Sequence, residues 1–207
     1  IDHPFSACFA VAGPISNNNA EIINLSWNIS GDGLKKKFKF KSCELVNDFA
    51  VQIYGIPFLK KSQYSAIQNG DRSVGVNKDL HAIVGAGTGL GIAKGIISGN
   101  KVKVLASEGG HVEYSPKSDL EWELKNWLKY SLKVERISCE RIISGTGLSR
   151  IAEWRLSKPD AKNHPLQKYL KKLKISGSLR KELPQEICNL SNQGDKIMSQ
   201  VERIWLD

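Results

Sequence analysis

The alternation of apolar and polar positions divides the chain into short elements. Phe5 to Val11 is a short apolar run that ends at Gly13-Pro14, which predicts a buried strand and a turn. Asn17-Asn18-Asn19 reads as a loop, and Glu44-Leu45-Val46 as a second strand. Phe49, Ile53 and Ile56 then share one face of a short helix closed by Pro57, where a lobe boundary is expected. Ala82-Ile83-Val84 leads into a glycine-rich segment. Ile92 to Ile97 and Val102 to Ala106 follow as two strands joined at Ser98-Gly99-Asn100. Ser118 and Glu121 form a capping box ahead of a helix whose buried stripe is Leu120, Leu124, Trp127 and Leu128. A further helix is expected from near Ser138, broken at Ser144-Gly145-Thr146-Gly147 and resuming to about Leu156. Leu166, Leu170 and Leu173 predict a basic amphipathic helix, and Lys196 to Trp205 a last one. Strands alternating with helices make the class α/β. The tetrapeptide Gly-Thr-Gly-Leu occurs at 87–90 and again at 145–148, but the flanks do not match and no repeat is assigned.

Composition narrows the picture. The chain has 207 residues, 41% hydrophobic and 25% charged, enough for one large domain or two lobes. Wholesale disorder, collagen and coiled coil are excluded, and no apolar run approaches the ~20 residues of a membrane span. The formal charge of +9 gathers in two clusters: Lys35, Lys36, Lys37, Lys39 and Lys41, and then Lys158, Lys162, Lys168, Lys171, Lys172, Lys174, Arg180 and Lys181. Phe38 and Phe40 interleave with the first cluster, a pattern compatible with stacking on bases. The plainer reading is a helix tail followed by a strand with a solvated lysine face. The four cysteines, Cys8, Cys43, Cys139 and Cys188, lack CxxC spacing and read as reduced structural residues of a cytosolic protein. No signal peptide is visible, and Ile1-Asp2-His3-Pro4 does not look like a natural start, so a fragment is expected.

Four segments could carry chemistry. Gly85-Ala86-Gly87-Thr88-Gly89-Leu90-Gly91 lets backbone amides surround a phosphate, or is a plain hairpin turn. It has Leu90 where a dinucleotide fingerprint needs glycine, and it lacks the Gly-Lys-Ser/Thr ending of a P-loop. Asn47-Asp48 after a strand is either a helix cap or an aspartate facing the crevice of an α/β sheet, where it could accept a hydroxyl proton. Glu108-Gly109-Gly110-His111 can turn two polar side chains onto one small ligand. With Glu113 it could form a metal site, and otherwise it is a structural turn. Glu140, on the helix that runs into Ser144, is by itself a surface glutamate.

Taken in order, Leu45-Val46-Asn47-Asp48-Phe49, the segment from Gly85 to Gly91, Glu108-Gly109-Gly110-His111-Val112 and the segment from Glu140 to Leu148 closely resemble the bacterial glucokinase family of the hexokinase–actin superfamily. Asn24-x-x-Trp27 and Ala12-Gly13-Pro14-Ile15 fit as well, and the match runs from about Phe5 to Trp154. The resemblance implies an actin-like ATPase (ribonuclease-H-like) fold of two α/β lobes, incomplete here, with residues 1–57 in the small lobe and 58–207 in the large one. It implies transfer of the ATP γ-phosphoryl group to the 6-hydroxyl of glucose, with Mg²⁺. Asp48 corresponds to the catalytic base. Asn47, Asp48, Glu108, His111 and Glu140 correspond to sugar-binding residues, and Gly85, Gly87, Thr88 and Gly89 to a phosphate-binding hairpin. Glucose and ATP are the expected partners of a cytoplasmic protein, with no nucleic acid and no membrane, and a homodimer is one option.

The departures are specific. The family's Asp-x-Gly-Gly-Thr-Asn loop and its C-terminal Gly-Gly segment are absent from these 207 residues, so the chain as written is expected to be inactive. Val112-Glu113-Tyr114-Ser115-Pro116 follows His111 without a cysteine, which excludes the related sugar kinases with a zinc loop. Two rival readings are a non-catalytic sugar-binding or regulatory protein on the same fold, and a basic nucleic-acid-binding module.

Overall fold

The computed structural model describes residues 5–22, 25–68, 79–105, 107–168, 170 and 183–207. Its contacts divide the chain into two units, Ile1–Ile83 with Ile92–Ser107, and Val84–Gly91 with Glu108–Asp207.

In the first unit, strand β1 (Ser6–Val11) pairs in parallel with β5 (Ser42–Asn47), from Ser6 opposite Ser42 to Val11 opposite Asn47. Between them lie β2 (Ile15–Ser16), β3 (Asn19–Ile22) and β4 (Trp27–Ser30), an antiparallel sheet in that order. These three short strands are not foreseen from the sequence, because their apolar positions are too few to set a period. The loop between β2 and β3 takes Asn17 and Asn18 through positive φ, 48° and 58°, which asparagine tolerates better than most residues. Asn18 then behaves like a strand's peptide group toward β5. Its Oδ1 accepts from the Leu45 amide at 2.9 Å, and its Nδ2 donates to the Cys43 carbonyl at 3.0 Å. Helix α1 (Gly31–Phe38) starts on the Ser30 hydroxyl and ends at Lys39, with φ of 57°. Lys35, Lys36 and Lys37 fill its last turn, where cations suit the carbonyl end, and Phe38 stacks on Phe40 at 5.8 Å. Val11, Ala20 and Leu45 form the core beneath it.

One expectation is corrected here. Strand β1 is not buried: Phe9 is 41% exposed and Cys8 is exposed, because among the described residues β1 belongs to a two-stranded sheet. Pro57 lies within the first unit. Helix α2 (Val51–Gly55) presents the fully buried Ile53 to the strands that follow. These are β6 (Leu80–Ala86), β7 (Leu90–Ser98) and β8 (Lys101–Leu105), a sheet in that order. A Cβ on Gly95 of β7 would stand 2.5 Å from Ile53 Cγ2, so the helix and the strand are in direct contact. The tip of the sheet, residues 84–91, is grouped with the second unit.

The second unit is helical. It holds α3 (Asp119–Leu132), α4 (Gly145–Leu156), α5 (Leu183–Asn192) and α6 (Lys196–Leu206) around a core that includes Leu124, Leu128, Ile151, Trp154, Ile187 and Val201. In α3 the stripe is narrower than expected: Leu124 and Leu128 are fully buried, Trp127 is half-buried and Leu120 is exposed. No α-helix forms at Ser138. Residues Cys139–Arg141 make a single 3-10 turn, and Ser144 begins α4 rather than ending a helix. Leu173 of the expected basic helix and Lys171, Lys172, Lys174, Arg180 and Lys181 of the second basic cluster lie outside the described residues, as does Asn24. Among the described residues no helix is long and apolar enough to cross a membrane.

Candidate active site

The first unit carries Asn47 and Asp48 at the carboxyl end of β5. Asn47 Oδ1 accepts from the amides of Phe49 at 3.0 Å and Ala50 at 2.9 Å. Its Nδ2 donates to the Gly13 carbonyl at 3.1 Å and to Asp48 Oδ1 at 3.2 Å. Two lone pairs and two N–H donors are thereby all engaged. Asn47 caps the turn, while Asp48 stands exposed at the strand's end with its carboxylate steadied by Asn47.

The second unit gathers the other three segments. Strands β6 and β7 flank the turn Gly87-Thr88-Gly89, closed by a hydrogen bond from the Gly87 amide to the Gly89 carbonyl at 2.8 Å. Gly85 lies in strand β6 rather than in the turn. Glu108 leads into a 3-10 turn, Gly109–His111, in which Gly110 is buried so closely against Leu90 that a Cβ would strike the Leu90 carbonyl. Glu108 and His111 approach each other, Oε2 to Nε2 at 3.6 Å, with side chains 70% and 57% exposed, so both are open to a ligand. Glu113 does not join them. Its carboxylate accepts from Lys125 Nζ at 2.9 Å, and that ammonium holds it below the usual carboxylate range. Among the described residues no group of three or more His, Cys, Asp or Glu could hold a metal.

Glu140 sits in the Cys139–Arg141 turn. Its Oε2 accepts from the Leu90 amide at 3.1 Å, and a Cβ on Gly89 would come within 2.6 Å of the same oxygen. The Ser144 hydroxyl donates to the Glu140 carbonyl at 2.7 Å and accepts from the Gly147 amide at 2.9 Å. Just beyond, Gly145 N donates to the Gly87 carbonyl at 2.8 Å, and Thr146 Oγ1 donates to the Thr88 carbonyl at 3.1 Å. The two Gly-Thr-Gly-Leu segments therefore meet in space. Sequence reasoning missed Ser144 and Thr146 as parts of this arrangement, and the recurrence of the tetrapeptide was the signal that could have found them.

The family model described as Glucokinase matches residues 1–206. The chain belongs to the glucokinase family. It is 39% identical over 152 residues to a glucokinase of Trichormus variabilis, covering 73% of this chain and 44% of that protein. A glucokinase of Synechocystis sp. is 41% identical over 151 residues, covering 72% of this chain and 41% of that protein. The chain thus spans less than half the length of the curated relatives it matches. Among solved structures, a glucokinase from an Antarctic psychrotroph superposes with a TM-score of 0.66 at 27% identity, over 96% of this chain and 56% of that one. A glucokinase from Balamuthia mandrillaris, solved with glucose, gives 0.64 at 21% identity over 94% of this chain and 55% of that one, a likeness of fold. This family member accordingly has the α/β fold of actin-like sugar kinases, in part.

Proposed function

We propose that this chain is part of a glucokinase, which transfers the γ-phosphoryl group of ATP to the 6-hydroxyl of glucose. One observation carries the reading: the glycine turn, the Glu108–His111 pair and Glu140 all gather around Leu90 in a single unit. A sugar needs several convergent donors and acceptors, and Glu108, His111 and Glu140 supply them. A transferred phosphoryl group needs fixed donors, and the backbone amides of Thr88 and Gly89 supply those, in a turn closed by Gly87. Magnesium, bound with the nucleotide, would neutralise charge on its phosphates. Asp48 accepts the proton of the 6-hydroxyl as that oxygen attacks phosphorus. Asn47 acts chiefly by holding Asp48, because contact with the sugar would cost it one of its present bonds. ATP supply places the reaction in the cytoplasm, which suits four free cysteines.

Asp48→Asn in the full-length protein tests this. The amide still orients a hydroxyl but cannot take its proton, so kcat should fall by roughly 10²–10⁴-fold while the glucose Kd stays within a few-fold. A coupled assay for glucose 6-phosphate and isothermal titration read the two quantities. Retention of a tenth of wild-type kcat removes Asp48 from the role.

A further inference from the structure

We propose that Thr146 is a positioning residue for the phosphate-binding turn, and that its hydroxyl turns the Gly89 amide toward the nucleotide. The inference rests on the reading of Gly87–Gly89 as that turn. A turn built of Gly-Thr-Gly has wide conformational freedom, and its one internal bond, Gly87 N to Gly89 O, closes it without orienting the peptides between. Orientation must come from outside. The Thr88 carbonyl is held by Thr146 Oγ1 at 3.1 Å, and the Gly87 carbonyl by the Gly145 amide at 2.8 Å. In a trans peptide the C=O and the following N–H point in opposite directions. Anchoring the Gly87 and Thr88 carbonyls on the start of α4 therefore turns the Thr88 and Gly89 amides away from α4, two consecutive donors presented together. The anchor is itself firm, since Ser144 ties the first turn of α4 to both Gly147 N and the Glu140 carbonyl. Of the groups holding the turn, Gly145 acts through its backbone and Glu140 is placed on the sugar. Thr146 holds the turn through a side chain that is not placed on the sugar.

The test compares Thr146→Val, which keeps the shape and loses the hydroxyl, with Thr146→Ser, which keeps the hydroxyl. In the full-length protein, Thr146→Val should raise KM for ATP about three- to tenfold, the worth of one hydrogen bond, and leave KM for glucose within twofold. Thr146→Ser should restore the wild-type value. An unchanged KM for ATP, an equal rise for both substrates, or failure of serine to restore it overturns the proposal. If the unaltered full-length protein phosphorylates no glucose, the functional reading falls separately. Amide exchange in this chain then decides the positioning role: Thr146→Val should speed exchange at Gly87, whose amide closes the turn on the Gly89 carbonyl, and Thr146→Ser should not. Equal rates in both variants overturn it.

Discussion

Asp195 shows how one carboxylate can join two elements. Its Oδ1 accepts from the amides of Ile197 at 2.9 Å and Met198 at 2.8 Å, capping α6, and its Oδ2 meets His164 Nε2 at 3.0 Å. Burial pushes the carboxyl up, but the bonds from Met198, His164 and Ile197 outweigh it and hold Asp195 below the usual range. A group depressed in the folded state contributes stability above its unfolded pKa of about 3.9, and that contribution is lost as pH falls through the folded value. Asp195→Asn, which can still cap, should therefore flatten the loss of stability below about pH 4. Urea melts at pH 7 and pH 3 for both proteins measure this, and an unchanged acid limb would refute it. Asp48, Glu108, His111 and Glu140 could be named as candidates from sequence because their motifs are local. Asn18 could not, because it acts on backbone groups more than twenty residues away, and Thr146 was reachable only through the recurrence of Gly-Thr-Gly-Leu.

Helix α4 shows the same limit at the level of elements. Ser144-Gly145-Thr146-Gly147 looks like a break because two glycines weaken a helix by propensity. The fold uses it as a start, with Ser144 as the cap, and needs Gly147 because a Cβ there would collide with the Ile142 carbonyl. Propensity and packing thus predict opposite signs for Gly147→Ala. We expect packing to win by about 2 kcal/mol or more, in the range of backbone strain and overpacking. Gly55, at the end of α2, has an ordinary helical φ of −77° and nothing within 4 Å of an added Cβ. Gly55→Ala should be neutral or stabilise by up to about 1 kcal/mol. Thermal denaturation should lower Tm for Gly147→Ala and leave it unchanged or raise it for Gly55→Ala. The β6–β7–β8 hairpins, α3 and α6 were readable because caps, alternation and a Gly-Asn turn all pointed one way. The strands β2, β3 and β4 were not, since two to four residues carry no period.

At the scale of the molecule the two units differ in what holds them. The core of the second unit includes Leu124, Leu128, Ile151 and Trp154 at 0% exposure, drawn from separate helices. The sheet core of the first unit is Val11, Ala20 and Leu45 with partly buried neighbours. Local opening free energy follows buried apolar contact, so amides of β3, β4 and α1 should exchange faster than those of α4 and α6. Exchange followed by mass spectrometry would show it, and equal protection in the two units would contradict it. A boundary at Pro57 is the natural reading of a helix that stops at proline. Across that position Ile53, a buried side chain on α2, packs against Gly95 of β7.

The meeting of the two Gly-Thr-Gly-Leu segments also sets a clock. Thr88 and its anchor Thr146 are 58 positions apart. At ribosomal speeds of about 5–20 residues per second, the turn leaves the exit tunnel roughly 3–12 seconds before the residues that orient it. For that interval the nascent chain holds a glycine hairpin with nothing to aim its amides. If Gly87–Gly89 is the phosphate turn proposed above, its phosphate affinity should arise in one step, when α4 emerges and docks, and not gradually as the hairpin forms.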